Sequence, residues 1–295
     1  MSTTTTTQTT NTVSHSQVQL AAAPVAVGHN FQDLARGDRA GRLKLKGIPT
    51  FSDPVAQRQW MKEHMAAAFR FFAKHGYAEG IAGHISMRDH LWLNPYAKHF
   101  ADMRASDLVL VDHDGYVVEG GNQAVVNTAG FIIHSEVHKA RPDVWAAAHA
   151  HSVHGKTWSA FGRPVDMLTQ DSCNFYGKQS VYDDHGGAAL AQEEGQAIAA
   201  ALGKDNMVCI LKNHGLLTAG RTVDEAAFLF YSLDKACHSQ LMAEAAAANS
   251  IAKTIISDEV AQFNAEVIQS ADNFYIEFQP EFDLIVKESN GEVLL

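Results

Sequence analysis

Scarcity narrows the function of this chain first. Cysteine occurs three times in 295 residues, at Cys173, Cys209 and Cys237. These are widely spaced, odd in number and form no Cys-x-x-Cys pair, so a disulfide framework is excluded and a reducing compartment, the cytoplasm, is expected. Cys209 and Cys237 sit in apolar patterns and read as core residues. No apolar run approaches the length of a membrane span. No Lys or Arg precedes Arg36, which removes the basic start of a secretory signal and the arginines of a mitochondrial presequence. Positive charge is also short, with 23 Lys and Arg against 33 Asp and Glu and a net charge of −10. The basic residues are scattered, whereas phosphate binding wants them clustered, so nucleic acid is not an expected partner.

The remaining composition, 46% hydrophobic and 19% charged, is that of a soluble globular protein long enough to bury a substantial core. Residues 1–30, with the run Thr3 to Thr7, cannot bury enough apolar surface to fold and are expected to form a disordered tail. A main domain over 31–250 and a C-terminal extension over 251–295 follow. The extension is expected to mix polar helix with short extended pieces and to pack on the domain or on a neighbouring subunit.

Local signals place the elements. Asp53-Pro54 opens a helix whose stripe of Trp60, Met61, Met65, Phe69 and Phe72 ends at Gly76. Strands are expected over 82–89 and 91–93. Leu108 to Val111 and Tyr116 to Val118 flank Asp114-Gly115 as a hairpin. A helix runs from Thr128 to Ala140, and a short one from Lys156 to Phe161. An alanine-rich helix from Ala188 to Leu202 closes on Gly203. Val208 to Leu211 reads as a buried strand, Leu216 to Thr218 as its hairpin-like partner, and Thr222-Val223-Asp224-Glu225 as a capping box opening a helix to about Ala248. Strands in bunches, with helices before and after, favour an α/β sandwich with a mainly antiparallel sheet. Trp92, Trp145 and Trp158 are expected in the core or at an interface.

What the chain has in quantity is histidine, sixteen in all. The most informative run is His149-Ala150-His151, on a segment that reads as a strand. Side chains alternate with period two, so both imidazoles leave the same face and can converge on one ion. His214, in the turn Lys212-Asn213-His214-Gly215, sits where a third ligand belongs. A rival pair, His134 and His138, lies four apart on one helical face, but its glutamate, Glu136, is not where a His-Glu-x-x-His zinc helix places it. His154 reads as a donor behind the ligands or as a substrate contact.

These segments resemble the class II aldolase/adducin family. The likeness is carried by His134 to Ala150 leading into His149-Ala150-His151-Ser152, by Lys212 to Leu217 with Val223 to Ala227, by Gly83-His84-Ile85-Ser86, and by Ser106 to Val109 with Asp114-Gly115, in consistent order over roughly 55–250. The resemblance implies a three-layer α/β/α sandwich with a mainly antiparallel central sheet, and a homotetramer with sites near its interfaces. It also implies a divalent metal, Zn2+ first and Fe2+ as the alternative, on His149, His151 and His214. By the same resemblance Gly83, His84, Ser86, Asn127 and Thr128 are substrate contacts, and Tyr275 reaches a neighbour's site. Two departures stand out. Family aldolases carry an acidic residue before the helix that leads to the His-x-His strand, whereas the matching stretch here is Asn127-Thr128-Ala129-Gly130. The glycine turn carries His84 where phosphate-binding members have asparagine. The expected activity is a metal-dependent lyase that cleaves or forms a C–C bond, of aldol or decarboxylation type, on a small carbonyl or keto-acid substrate. His154, Glu136 and Asp171 are the candidates for the missing base. Alternatives are a non-haem Fe(II) oxygenase of the same fold and a non-catalytic adducin-like scaffold.

Overall fold

The computed structural model describes residues 30–184, 186–187 and 190–295; the expected N-terminal tail, apart from residue 30, and the expected start of the alanine-rich helix at Ala188 lie outside them. In chain order the elements are α1 (Pro54–Lys74), β1 (His84–Arg88), β2 (Leu91–Leu93), β3 (Val109–Val111), α2 (Thr128–Ala140), β4 (Ala146–Ala150), α3 (Val153–Ser159), β5 (Gln179–Tyr182), α4 (Gln192–Leu202), β6 (Val208–Leu211), β7 (Gly215–Gly220), α5 (Val223–Ala247), α6 (Asp258–Ile268) and α7 (Ala271–Glu288). The strands form one sheet in the order β3-β2-β1-β4-β7-β6-β5. Every pairing is antiparallel except that of β5 with β6.

Alternation along the central strands makes this a three-layer sandwich. Ala146, Ala148 and Ala150 of β4, Val208 and Ile210 of β6, and Leu216 of β7 join a core with α1, α5 and α7. Ala147, Cys209, Leu211, Leu217 and Ala219 point the other way and pack under Ile133 and Val137 of α2 and Ile198 and Leu202 of α4. A one-residue slip in any of these strands would exchange the two sets. The alanines of β4 leave room for helices on both faces, and every residue of that strand is buried.

Helix starts follow their caps. Asp53 accepts from the Val55 N–H with Pro54 in the first turn. Asn127 accepts from the Gly130 N–H at 3.1 Å. Thr222 accepts from the Glu225 N–H, and Glu225 reaches back to the Arg221 N–H at 2.6 Å.

Five local expectations change. Tyr116 to Val118 forms only the bridge Val111↔Val117 and single bonds such as Val118 N–H to Leu110 O at 3.0 Å, because Tyr116 finds no apolar face to cover. The short helix begins at Val153, three residues early. Strand β5 carried no alternating signal and is set by its parallel partner β6. Residues 258–288 are almost wholly helical, so the triplet Phe274-Tyr275-Ile276 lies in α7. Burial of Phe274, Phe278 and Ile285 at helical spacing outweighs the strand preference of the triplet. Tyr275 packs near Trp60 and His64 of its own chain. Finally, Trp92 and Trp158 take the core half of their expectation, and Trp145, 37% exposed, does not.

Candidate metal centre and its pocket

Strand β1 lies beside β4 with His84 opposite His149 and Ser86 opposite Ala147. His149 is buried at the end of β4, and His151 follows just beyond it. His214 arrives from the tight link between β6 and β7. There the His214 N–H bonds Leu211 O at 3.0 Å, and Asn213 takes φ 57°, a left-handed conformation that asparagine tolerates. The reversal folds His214 back against the pair. The ligand-capable atoms of His149, His151 and His214 lie within 4.8 Å of one another, the group of this kind found among the described residues.

The donor set suits a divalent cation. Nδ1 of His149 lies 2.8 Å from Leu216 O, and a carbonyl only accepts, so Nδ1 carries the hydrogen and Nε2 keeps a free lone pair. Burial, and then the neighbouring His214, hold His149 well below the usual imidazole range, and burial lowers His151. Neutral imidazoles are the form that binds metal. They sit in a pocket of about 690 Å³ with Gly83, His84, Asn127 and Lys156 on its walls and Ile81 and Ile133 as apolar lining. Gly83 holds φ 93°, and a Cβ there would stand 3.3 Å from His149 O, so the turn needs glycine. Lys156, which the sequence did not single out, is held at 2.7 Å from both carboxylate oxygens of Glu79.

The other expected residues divide. Gly83, His84 and Asn127 line the pocket, whereas Thr128 does not. Ser86 is buried behind His84 and bonds His134 and His138. The rival pair His134/His138 is therefore engaged with the sheet rather than forming an ion site. None of the three candidate bases lines this pocket. Glu136 accepts from Lys139 of its own helix and from Gln192 of α4. His154 bonds Asp234 at 3.0 Å and stacks on His238 of α5. Asp171 lines a separate cavity with Lys235 and Glu277. Each was near the histidines in sequence or motif, but helix and loop directions carry all three away. His84, His134 and His138 had a legible signal in hindsight: His84 and Ser86 at period two, and His134 and His138 at helical spacing, each mark one face.

Residues 63–241 match the model of the class II aldolase and adducin N-terminal domain. The chain belongs to that family. It is 43% identical over 204 residues to a 4-hydroxy-3-prenylphenylpyruvate oxygenase/4-hydroxy-3-prenylbenzoate synthase of Streptomyces roseochromogenus subsp. oscitans, covering 67% of this chain and 73% of that protein. It is likewise 43% identical over 205 residues to the decarboxylase NovR of Streptomyces niveus, covering 67% and 75%. Among solved structures, the L-fuculose 1-phosphate aldolase from Glaciozyma antarctica PI12 superposes with a TM-score of 0.75 at 39% identity, covering 83% of this chain and 96% of that one. A Cβ built on Gly130 would lie 2.8 and 2.9 Å from two ring carbons of His84, so the imidazole occupies the space where a side chain at 130 would begin.

Proposed function

We propose that this protein is a metal-dependent lyase that cleaves or forms a carbon–carbon bond in a small carbonyl or keto-acid substrate, by an aldol or decarboxylation type of step. The observation that carries this reading is the convergence of three imidazoles, His149, His151 and His214, on one open pocket. A divalent cation held by them, Zn2+ first and Fe2+ second, supplies a Lewis acid that draws electrons from a substrate carbonyl. Lys156 offers a positive charge on the pocket wall for a substrate carboxylate or phosphate. Gly83, Ile81 and Ile133 line the pocket beside the histidines. The names of the decarboxylase and aldolase relatives support lyase chemistry.

A second reading, a non-haem Fe(II) oxygenase, is favoured by the oxygenase name of one 43% identical relative and by the affinity of imidazole for iron. We place the protein in the cytoplasm as a homotetramer; its three cysteines are buried and unbridged, in keeping with a reducing compartment. The C-terminal helices α6 and α7 are the part we assign to packing on the main domain or a neighbour.

The test is anaerobic purification and elemental analysis beside a His149→Ala/His151→Ala variant, followed by a panel of hydroxy-carbonyl and β-keto acids. Stoichiometric metal lost in the variant, with aldehyde or CO2 released without O2, is expected. Iron together with O2-dependent turnover would move the assignment to the oxygenase. A protein that takes up neither added Zn(II) nor Fe(II) refutes both and leaves an adducin-like scaffold.

A further inference from the structure

A second cavity, of about 350 Å³, lies between α2 and the β1-β2-β3 side of the sheet, and it shares no lining residue with the three-histidine pocket. The packed face of α2 lies on β4, β6 and β7, whereas the apolar residues of β2 and β3 form a separate small cluster. Leu91 and Val111 stand opposite each other in the register of those two strands and give the cavity an apolar floor. Phe131 of α2 packs against the same cluster and closes the apolar side. The volume is at the low end of small-molecule sites, which run from about 300 to 1,000 Å³.

The polar wall carries a charge without a counter-charge. Arg88, at the end of β1, donates Nε–H to Val144 O at 3.0 Å and Nη2–H to the carbonyls of His138 and Arg141. Carbonyls orient a guanidinium but leave its charge whole. Among the described residues Arg58, Arg70, Arg104 and Arg141 are also at least partly buried, and each has a carboxylate at ion-pair distance. Arg88 has none there, and its Nη1 makes no hydrogen bond with the described residues. Burial holds Arg88 below the ordinary arginine range, and the more distant Asp143 offsets only part of that.

The other lining groups are already engaged. Lys139 is paired with Glu136 at 2.7 Å. The Asp112 carboxylate accepts from the N–H groups of Asp114 and Tyr116 at 3.0 and 2.9 Å. His138 has Nε2 at 2.9 Å from Ser86 Oγ and Nδ1 at 3.3 Å from Val144 O. His90 stands exposed at the rim, in the two-residue turn between Arg88 and Leu91. That turn holds Asp89 at φ 95° and His90 at φ 61°, and the Asp89 carboxylate is tied to Arg58.

We propose that this cavity binds a small aromatic monocarboxylate, its carboxylate on Arg88 and its ring between Phe131 and the Leu91–Val111 pair. A guanidinium accepts a carboxylate through paired N–H groups, and the phenyl ring opposite offers a flat apolar face. A single uncompensated charge suits a monoanion, and Asp112 on the same wall opposes a dianion. The assignment does not depend on any reaction at the three histidines.

Calorimetric titration of the full chain with 4-bromobenzoate, and anomalous diffraction from co-crystals with it, test the site. A bromine signal beside Phe131 and Leu91 is expected. The neutral 4-bromobenzyl alcohol should bind at least about tenfold more weakly, the size of one hydrogen bond to a charged group, and sulfate should give no heat. Ser135 lines the cavity, and its hydroxyl donates only to Ile132 O of its own helix. Ser135→Phe should therefore fill the space and abolish binding, with the near-UV circular dichroism retained. A His149→Ala/His151→Ala variant should keep the wild-type affinity. No heat at millimolar 4-bromobenzoate, equal affinity for the alcohol, or a bromine signal elsewhere overturns the proposal. So does a neighbouring subunit seated over Phe131 and Leu91 in the crystal. Loss of binding in the double-histidine variant places the ligand in the metal pocket and overturns it as well, leaving the lyase reading intact.

Discussion

Substituting Gly130 by alanine tests whether His84 and position 130 compete for one volume. The added Cβ would meet two His84 ring carbons at 2.8 and 2.9 Å and Nε2 at 3.3 Å. Carbon pairs at rest sit about 3.5–4.0 Å apart, so the ring must retreat by roughly 0.6–1.2 Å. It has little freedom to do so, being hydrogen-bonded to His134 at 2.7 Å and backed by His149. Overpacking of this kind costs about 1–3 kcal/mol. Helix propensity acts the other way, since alanine is better than glycine in a helix by about 1 kcal/mol. The single variant should therefore be neutral to about 2 kcal/mol less stable. In a His84→Ala background the clash is gone, and the same change should become stabilising. The informative quantity is the coupling between the two substitutions, expected at about 1–3 kcal/mol. It is measured by urea unfolding of all four proteins at one protein concentration with a chelator present, so that metal binding and assembly do not enter the comparison. Additive effects, within about 0.5 kcal/mol, would refute the shared-volume argument.

Acid should unfold the protein through its buried imidazoles. His138 is held at about 4 against 6.5 when exposed, chiefly by burial. Its folded pKa is depressed, so its contribution is complete above pH 6.5 and is lost as pH falls from 6.5 toward 4, on the order of 3 kcal/mol. A His138→Gln variant should flatten that part of the urea-midpoint profile, and an unchanged slope would contradict the assignment. Asp224 is fully buried on α5, bonded to His64 of α1 and to Gln279 of α7 at 2.8 Å. Asp224→Ala should cost about 3–5 kcal/mol by stranding those partners, seen as a lowered urea midpoint; a loss under 1 kcal/mol would show that the tie is not structural.

Much of this protein was legible in its residues because the relevant signals are local and periodic. His149 and His151 share a strand face whatever surrounds them, and Asp53, Asn127 and Thr222 start their helices by hydrogen bonds to neighbours within three residues. The bunching of strands between helices likewise pointed to a layered α/β sandwich. The expected base could not be read in this way. His154 and Glu136 lie on helices beside the motif, where each residue turns by about 100° and a few positions aim a side chain into another layer, while Asp171 stands past a loop, lining a separate cavity.

The chain by itself determined the family and the strand-and-turn origin of the three histidines. Only the tertiary structure decided what stands beside them. Antiparallel pairing of β1 with β4 lays His84 against His149, and packing of α2 on the same face brings His134 and His138 onto His84 and Ser86 across about fifty residues of sequence. A hydrogen-bond chain has a direction only when its last partner is known. That partner, Val144 O, is a backbone carbonyl that no residue type announces.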